Sequence, residues 1–169
     1  MTLRLFLIRH AKSDWDDPSL PDDQRTLNER GRRSAPLIGK WMAAQGYLPQ
    51  QVLCSSAVRT RETLDLLQAE WGNAPKVTYL PDLYLAPART MLDCLHKATA
   101  PQVAMIGHNP GIASFACGLV HERPAHPKYA TYPTCATAVI DFDCDTWAEV
   151  NAAKGRVVAF VTPRELENE

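Results

Sequence analysis

The sequence predicts an α/β fold: a three-layer α/β/α sandwich around a mostly parallel central sheet with one antiparallel edge strand. Three observations carry that reading. Short apolar, β-rich runs recur along the chain, amphipathic helical patterns separate the early ones, and two of the runs end abruptly in a histidine. Strands that alternate with helices read as βαβ units, whose crossovers keep the strands parallel.

The elements follow in order. Leu3–Ile8 is an apolar run too short for a helix and reads as a buried strand; it ends in Arg9-His10-Ala11-Lys12-Ser13. The stretch Asp14–Asp23 is acidic and broken by proline, a candidate lid over His10. Glu29–Gln45 carries Ala35, Leu37, Ile38, Trp41 and Met42 at helical spacing. Val52–Ser55 is the next strand, and Val58–Trp71, with Thr63, Leu64, Leu66 and Leu67, the next helix. Strand Lys76–Leu80 precedes a helical pattern over Ala88–Ala98, carried by Met91, Leu92 and Leu95. Strand Gln102–Ile106 precedes another over Gly111–Val120, carried by Ile112, Phe115, Ala116 and Leu119. The last runs, Ala136–Phe142 and Arg156–Val161, are joined by the short polar segment Asp143–Lys154 without a convincing helix, so they are expected to pair antiparallel at one edge. Prolines mark loops at Asp16–Asp22, Ala74–Pro75, Leu85–Pro87 and Arg123–Pro133. With no internal repeat or interdomain linker, residues 1–169 are expected to form a single domain.

Composition excludes several function classes. Hydrophobic residues make up 46% and charged residues 22%, as in ordinary globular proteins. A formal net charge of −1 offers no electrostatic case for nucleic acid or an anionic membrane as partner. No apolar stretch approaches the length of a membrane span, and the N-terminus lacks a signal-type pattern. The cysteines Cys54, Cys94, Cys117, Cys135 and Cys144 are odd in number and scattered, which fits reduced thiols in a cytoplasmic protein.

The chemistry concentrates at strand ends, the edge of an open α/β sheet where ligands bind. Arg9 and His10 place a guanidinium and an imidazole there, a cation beside a potential nucleophile, which suits chemistry on an anion such as a phosphoryl group. Gly107-His108-Asn109-Pro110-Gly111 delivers a second histidine to the same edge, where the glycines would permit close backbone approach to a ligand. Ser55-Ser56-Ala57-Val58-Arg59-Thr60-Arg61-Glu62-Thr63 opens a helix after a strand and puts Arg59 in its first turn.

Together these motifs resemble the histidine phosphatase superfamily, whose fold is phosphoglycerate mutase-like. The resemblance spans nearly the whole chain. Arg9-His10-Ala11-Lys12-Ser13-Asp14-Trp15 and Leu27-Asn28-Glu29-Arg30-Gly31-Arg32 resemble the small phosphohistidine phosphatases of the SixA type. The resemblance implies that His10 is the nucleophile and forms a phosphohistidine intermediate. It implies that Arg9, Arg59 and His108 hold the phosphoryl oxygens, and that no metal or cofactor takes part. Asn109 would lend its backbone N–H, and Lys12 and Ser13 either line the pocket rim or face solvent.

Two departures bear on substrate. Ala11 stands where the family often has glycine, and Leu85 where larger members carry a glutamate acid; Asp82 is the nearest carboxyl. An alkoxide leaving group needs a proton donor, whereas a phosphohistidine ring can be protonated beforehand and leave as neutral imidazole. Protein phosphohistidine, for example on a phosphorelay protein, is therefore the favoured substrate. A general small-molecule phosphatase that recruits Asp82 or Asp16 as acid stays open, as does a phospho-ligand-binding module with negligible turnover; a mutase is least favoured.

Other features read as structural. Arg25 is expected to be a surface ion-pair residue, and His96, His121 and His126 surface residues. Asp141-x-Asp143-x-Asp145 lacks the glycine and glutamate of a calcium loop and is expected to end a strand and begin a turn. Cys54 precedes Arg59 by one residue too few for a cysteine phosphatase and reads as a core thiol.

Overall fold

The computed structural model describes residues 2–167. Six strands, β1 (Leu3–Arg9), β2 (Gln51–Ser55), β3 (Lys76–Leu80), β4 (Gln102–Gly107), β5 (Thr137–Phe142) and β6 (Arg156–Val161), form one sheet in the order β3-β2-β4-β1-β5-β6. Five helices accompany them: α1 (Glu29–Gln45), α2 (Val58–Trp71), α3 (Ala88–Leu95), α4 (Gly111–Leu119) and α5 (Pro163–Glu167). Pairings among β1 to β4 are parallel. β5 runs antiparallel to both β1 and β6, so the antiparallel pair sits at the edge and β5 is its reversed strand. The polar β5–β6 connection contains one 3₁₀ turn, Trp147–Glu149.

Strand alternation splits the core into the expected layers. Leu3, Leu5 and Leu7 of β1 and Val103 and Met105 of β4 face Met91, Leu95, Ile112, Phe115 and Leu119 from α3 and α4. Phe6 and Ile8, with Ala104 and Ile106, face Ala35, Ile38, Met42, Leu64 and Leu67 from α1 and α2. Asn28 caps α1 by accepting from the Gly31 N–H at 2.9 Å, and Gly46 ends the helix at φ 76°, the left-handed conformation glycine adopts without a Cβ penalty. No helix among the described residues is long and apolar enough to cross a membrane.

Helices α3 and α4 stop at Leu95 and Leu119, short of the expected Ala98 and Val120. His96 caps α3 and is half-buried, its Nε2 2.7 Å from the Val150 carbonyl; it is not a surface residue. His126 is likewise half-buried, against Phe160 and 2.8 Å from Glu165. Asp141, Asp143 and Asp145 end β5 and lead into the turn as expected, and Asp141, still within β5, is buried and accepts from Arg4 Nε at 2.7 Å and Nη2 at 2.9 Å across the β1–β5 register.

Candidate active site

The strand order sets the carboxyl ends of β1, β4 and β2 side by side. His10 leaves β1 with its N–H donating to the Gly107 carbonyl at 3.1 Å, and its own carbonyl accepts from the Cys135 N–H at 3.0 Å. Thr63 fastens α2 to this exit: its hydroxyl accepts from the Ala11 N–H at 2.9 Å and donates to the Arg59 carbonyl at 2.7 Å. The result is a cavity of about 370 Å³ that Arg9, His10, Arg59 and His108 line together. Lys12, Ser13 and Asn109 line it too; Lys12 is exposed, whereas Ser13 is buried and bridged to Leu27.

The two imidazole rings lie 5.3 Å apart, both almost fully buried. His10 Nδ1 is 2.7 Å from the Ala11 carbonyl oxygen, which can only accept, so Nδ1 carries the proton and the neutral ring keeps its lone pair on Nε2. Burial, then His108, Arg9 and Arg59, push the His10 pKa down to about 3 against the opposing Ala11 hydrogen bond. His108 is also pushed down to about 3, by burial first and then by Arg59. Its Nε2 meets the Ser55 hydroxyl at 2.7 Å, and its buried Nδ1 has no partner among the described residues. Arg9 Nη1 donates to the Tyr132 carbonyl at 3.1 Å, while its buried Nε is unpartnered. Burial, then Arg59, lowers the Arg9 pKa. Two guanidiniums, an unprotonated imidazole nitrogen and a second imidazole thus surround one small cavity, an arrangement that can hold a tetrahedral oxyanion against a nucleophile.

Three of its neighbours were not singled out by the motifs. Asp22, in a 3₁₀ turn of the proline-broken loop, accepts from Arg59 twice: Nη1 donates to its carbonyl at 2.7 Å and Nη2 to Oδ2 at 2.9 Å. Tyr84 donates its hydroxyl to the same Oδ2 and sets its ring edge-on to His108 at 5.4 Å. The Tyr84 hydrogen bond and Arg59 hold the Asp22 carboxyl below the usual carboxylate range. Tyr132, buried beneath, holds two lining residues: its carbonyl accepts from Arg9 and also from Asn109 Nδ2 at 3.2 Å, and its hydroxyl donates to the Leu7 carbonyl at 2.5 Å. Neither Asp82 nor Asp16 lines the cavity; Leu85, at φ 49°, does.

Other expectations change. Arg25 is not a surface residue: its side chain is 12% exposed, stacked 4.0 Å over the Trp15 ring, with Nε 3.5 Å from Asp22 Oδ1. The close approach at Gly111 is to the chain itself, since a Cβ there would lie 1.7 Å from the Ala86 carbonyl oxygen. Cys54 is a buried thiol, pushed up to about 12 by burial. The stretch Asp14–Asp23 forms a wall of the cavity through Trp15 and Asp22.

Comparison with known proteins places the chain in a family and matches its fold. The family model of the histidine phosphatase superfamily (branch 1) matches residues 5–84. An uncharacterized chloroplastic protein of Arabidopsis thaliana is 33% identical over 163 residues, covering 90% of this chain and 72% of its own. A SixA structure from Agrobacterium tumefaciens, whose name assigns it to the phosphohistidine phosphatases, superposes with a TM-score of 0.79 at 28% identity, covering 95% of this chain and 98% of its own. A SixA structure from Nakamurella multipartitia, similarly named, gives 0.80 at 26% identity, covering 96% and 97%.

Proposed function

Because the chain belongs to the histidine phosphatase superfamily and is SixA-like in structure, we propose that it hydrolyses protein phosphohistidine through a covalent phosphohistidine intermediate on His10. The observation that carries the reading is the His10 ring. Its proton is committed to the Ala11 carbonyl, and its Nε2 lone pair is kept free by burial.

In the first step Nε2 attacks phosphorus in line, the P–Nε2 bond forms, and the substrate P–N bond breaks. The leaving imidazole, already protonated on its other nitrogen, departs neutral. In the second step water attacks phosphorus, the P–Nε2 bond breaks, and inorganic phosphate leaves. Phosphoryl transfer asks mainly for positioning and charge stabilisation. We assign the phosphoryl oxygens to Arg9, Arg59 and His108, whose unpartnered Arg9 Nε and His108 Nδ1 suit them, and place the backbone N–H of Asn109 beside them. Lys12 and Ser13 serve as rim contacts. No metal or other cofactor is required by this scheme.

Substrate choice follows from the acid. Leu85 offers no proton, Asp82 and Asp16 stand outside the cavity, and Asp22 is engaged as a carboxylate. This favours a leaving group that brings its own proton. Rapid-quench labelling with a phosphohistidine protein tests the reading. An acid-labile, alkali-stable phosphoryl group should appear in wild type and be lost, with turnover, in His10→Ala. Phosphate binding without such an adduct would reduce the protein to a binding module. Equal turnover of phosphohistidine and an alkyl phosphate would make it a general phosphomonoesterase.

A further inference from the structure

We propose that Asp22 is a specificity-determining residue, which selects a phosphorylated imidazole over an oxygen ester by accepting an N–H from the leaving ring. The inference rests on the phosphohistidine reading and deepens it to a named recognition contact.

Asp22 is the one carboxylate lining the cavity among the described residues. Its Oδ2 is occupied by Arg59 Nη2 and the Tyr84 hydroxyl; its Oδ1 is ion-paired with Arg25 Nε at 3.5 Å but accepts no hydrogen bond. The carboxyl is 39% exposed, so Oδ1 is within reach of a ligand. A guanidinium has five N–H donors, and Asp22 takes one each from Nη1 and Nη2. A phosphoryl group bound to the remaining Arg59 donors would therefore sit beside the Asp22 carboxylate, two anions on one guanidinium.

That neighbourhood discriminates between leaving groups. An oxygen leaving group develops negative charge and gains nothing from an adjacent carboxylate. A protonated imidazole carries positive charge and an N–H on its unphosphorylated nitrogen, which a free carboxylate oxygen accepts as a charge-assisted hydrogen bond. Asp22 neither gains nor loses a proton. The P–N electron pair goes to the ring, and the ring keeps its own N–H as it leaves. His10 and His108 are buried, Leu85 contributes no acceptor and Asn109 Oδ1 is a neutral amide oxygen, so Asp22 is the one charged acceptor lining the cavity among the described residues. Arg25 Nε is ion-paired with Oδ1 at 3.5 Å but makes no hydrogen bond to it, so the acceptor positions of Oδ1 stay open.

The test compares kcat/KM for a phosphohistidine protein and for p-nitrophenyl phosphate in wild type, Asp22→Asn and Asp22→Ala. The expected result is a fall of tenfold or more in the phosphohistidine-to-aryl ratio in both variants. If both substrates slow equally, Asp22 merely positions Arg59 and the inference is overturned. If both speed up equally, Asp22 is only an anion competing for Arg59, and the inference is again overturned. Wild type that hydrolyses the aryl ester but not phosphohistidine overturns the proposed function, a result visible before any variant is made.

Discussion

Two arginines on β1, five residues apart in the chain, sit in opposite chemical states. Arg4, at the strand's start, gives Nε and Nη2 to the buried Asp141 carboxylate at 2.7 and 2.9 Å, and that hydrogen bond raises its pKa. Arg9, at the strand's end, has no carboxylate; one nitrogen reaches a carbonyl, its buried Nε reaches nothing, and burial lowers its pKa. A buried donor left unmade costs about 1–3 kcal/mol, so such a deficit persists where something other than folding uses it. Of the six buried side-chain polar atoms without a partner among the described residues, three belong to Arg9, His108 and Asn109, which line the cavity. Two more belong to Arg25, whose contacts Trp15 and Asp22 line it as well. The paired arginine belongs to the fold, and the unpaired one to the site.

Exchanging the two roles breaks the comparison most sharply. Arg9→Ala is expected to lower kcat/KM by about 10²–10³-fold, the cost of removing one preorganised oxyanion donor, with the chemical melting midpoint held or raised. Arg4→Ala should leave kcat/KM within about twofold and cost about 2–3 kcal/mol of stability, since it strands a buried carboxylate that is only partly screened by solvent. Steady-state kinetics and urea melts on both variants decide. A loss of stability in Arg9→Ala as large as in Arg4→Ala would make Arg9 a structural residue.

The same contrast explains what was legible in the sequence. Arg9, His10 and His108 end strands whose apolar runs are readable, and Arg59 opens a helix after another, so their convergence follows from a parallel sheet alone. Asp22 was hidden. It is one of several acids in the proline-broken loop, and only the 3₁₀ turn at Asp22–Gln24 carries it to Arg59. Tyr84 follows Leu83 in a turn with no periodic pattern, and Tyr132 lies in a loop whose value is its carbonyl, which no side-chain motif records. The pairing of Asp141 was hidden because its partner Arg4 is 137 residues away and becomes its neighbour only through the β1–β5 register. Local patterns located the strand ends, whereas pairing across the sheet and through loops decided which charges were satisfied.

A smaller effect sharpens the contrast through pH. His10 and His108 titrate near 3 in the folded protein, burial being the main cause, against an ordinary value of about 6.5 in the unfolded chain. Between those values the unfolded state binds protons that the folded state refuses. Their contribution to stability is therefore present above about pH 6.5 and is lost as pH falls toward 3. Each ring contributes a slope of up to about 1.4 kcal/mol per pH unit in that window. His108→Ala should remove one of the two slopes, measured as the change in urea stability between pH 7 and pH 5. An unchanged slope would mean that the ring is solvated and its unpartnered Nδ1 is not a true deficit.

The smallest expected effect concerns the paired end. Arg156 also approaches Asp141, with Nη2 3.9 Å from Oδ2, but its side chain is 63% exposed and it reaches Asp143 at 3.8 Å as well. At such distances, and so exposed, a second cation adds little. Arg156→Ala should change stability by less than about 0.5 kcal/mol, because the bidentate bond to Arg4 already satisfies the carboxylate. Urea melts at low and moderate salt check this. If Arg156→Ala cost as much as Arg4→Ala, Asp141 would be held by an extended network across β1, β5 and β6, and Arg4 would no longer stand as the satisfied counterpart of Arg9.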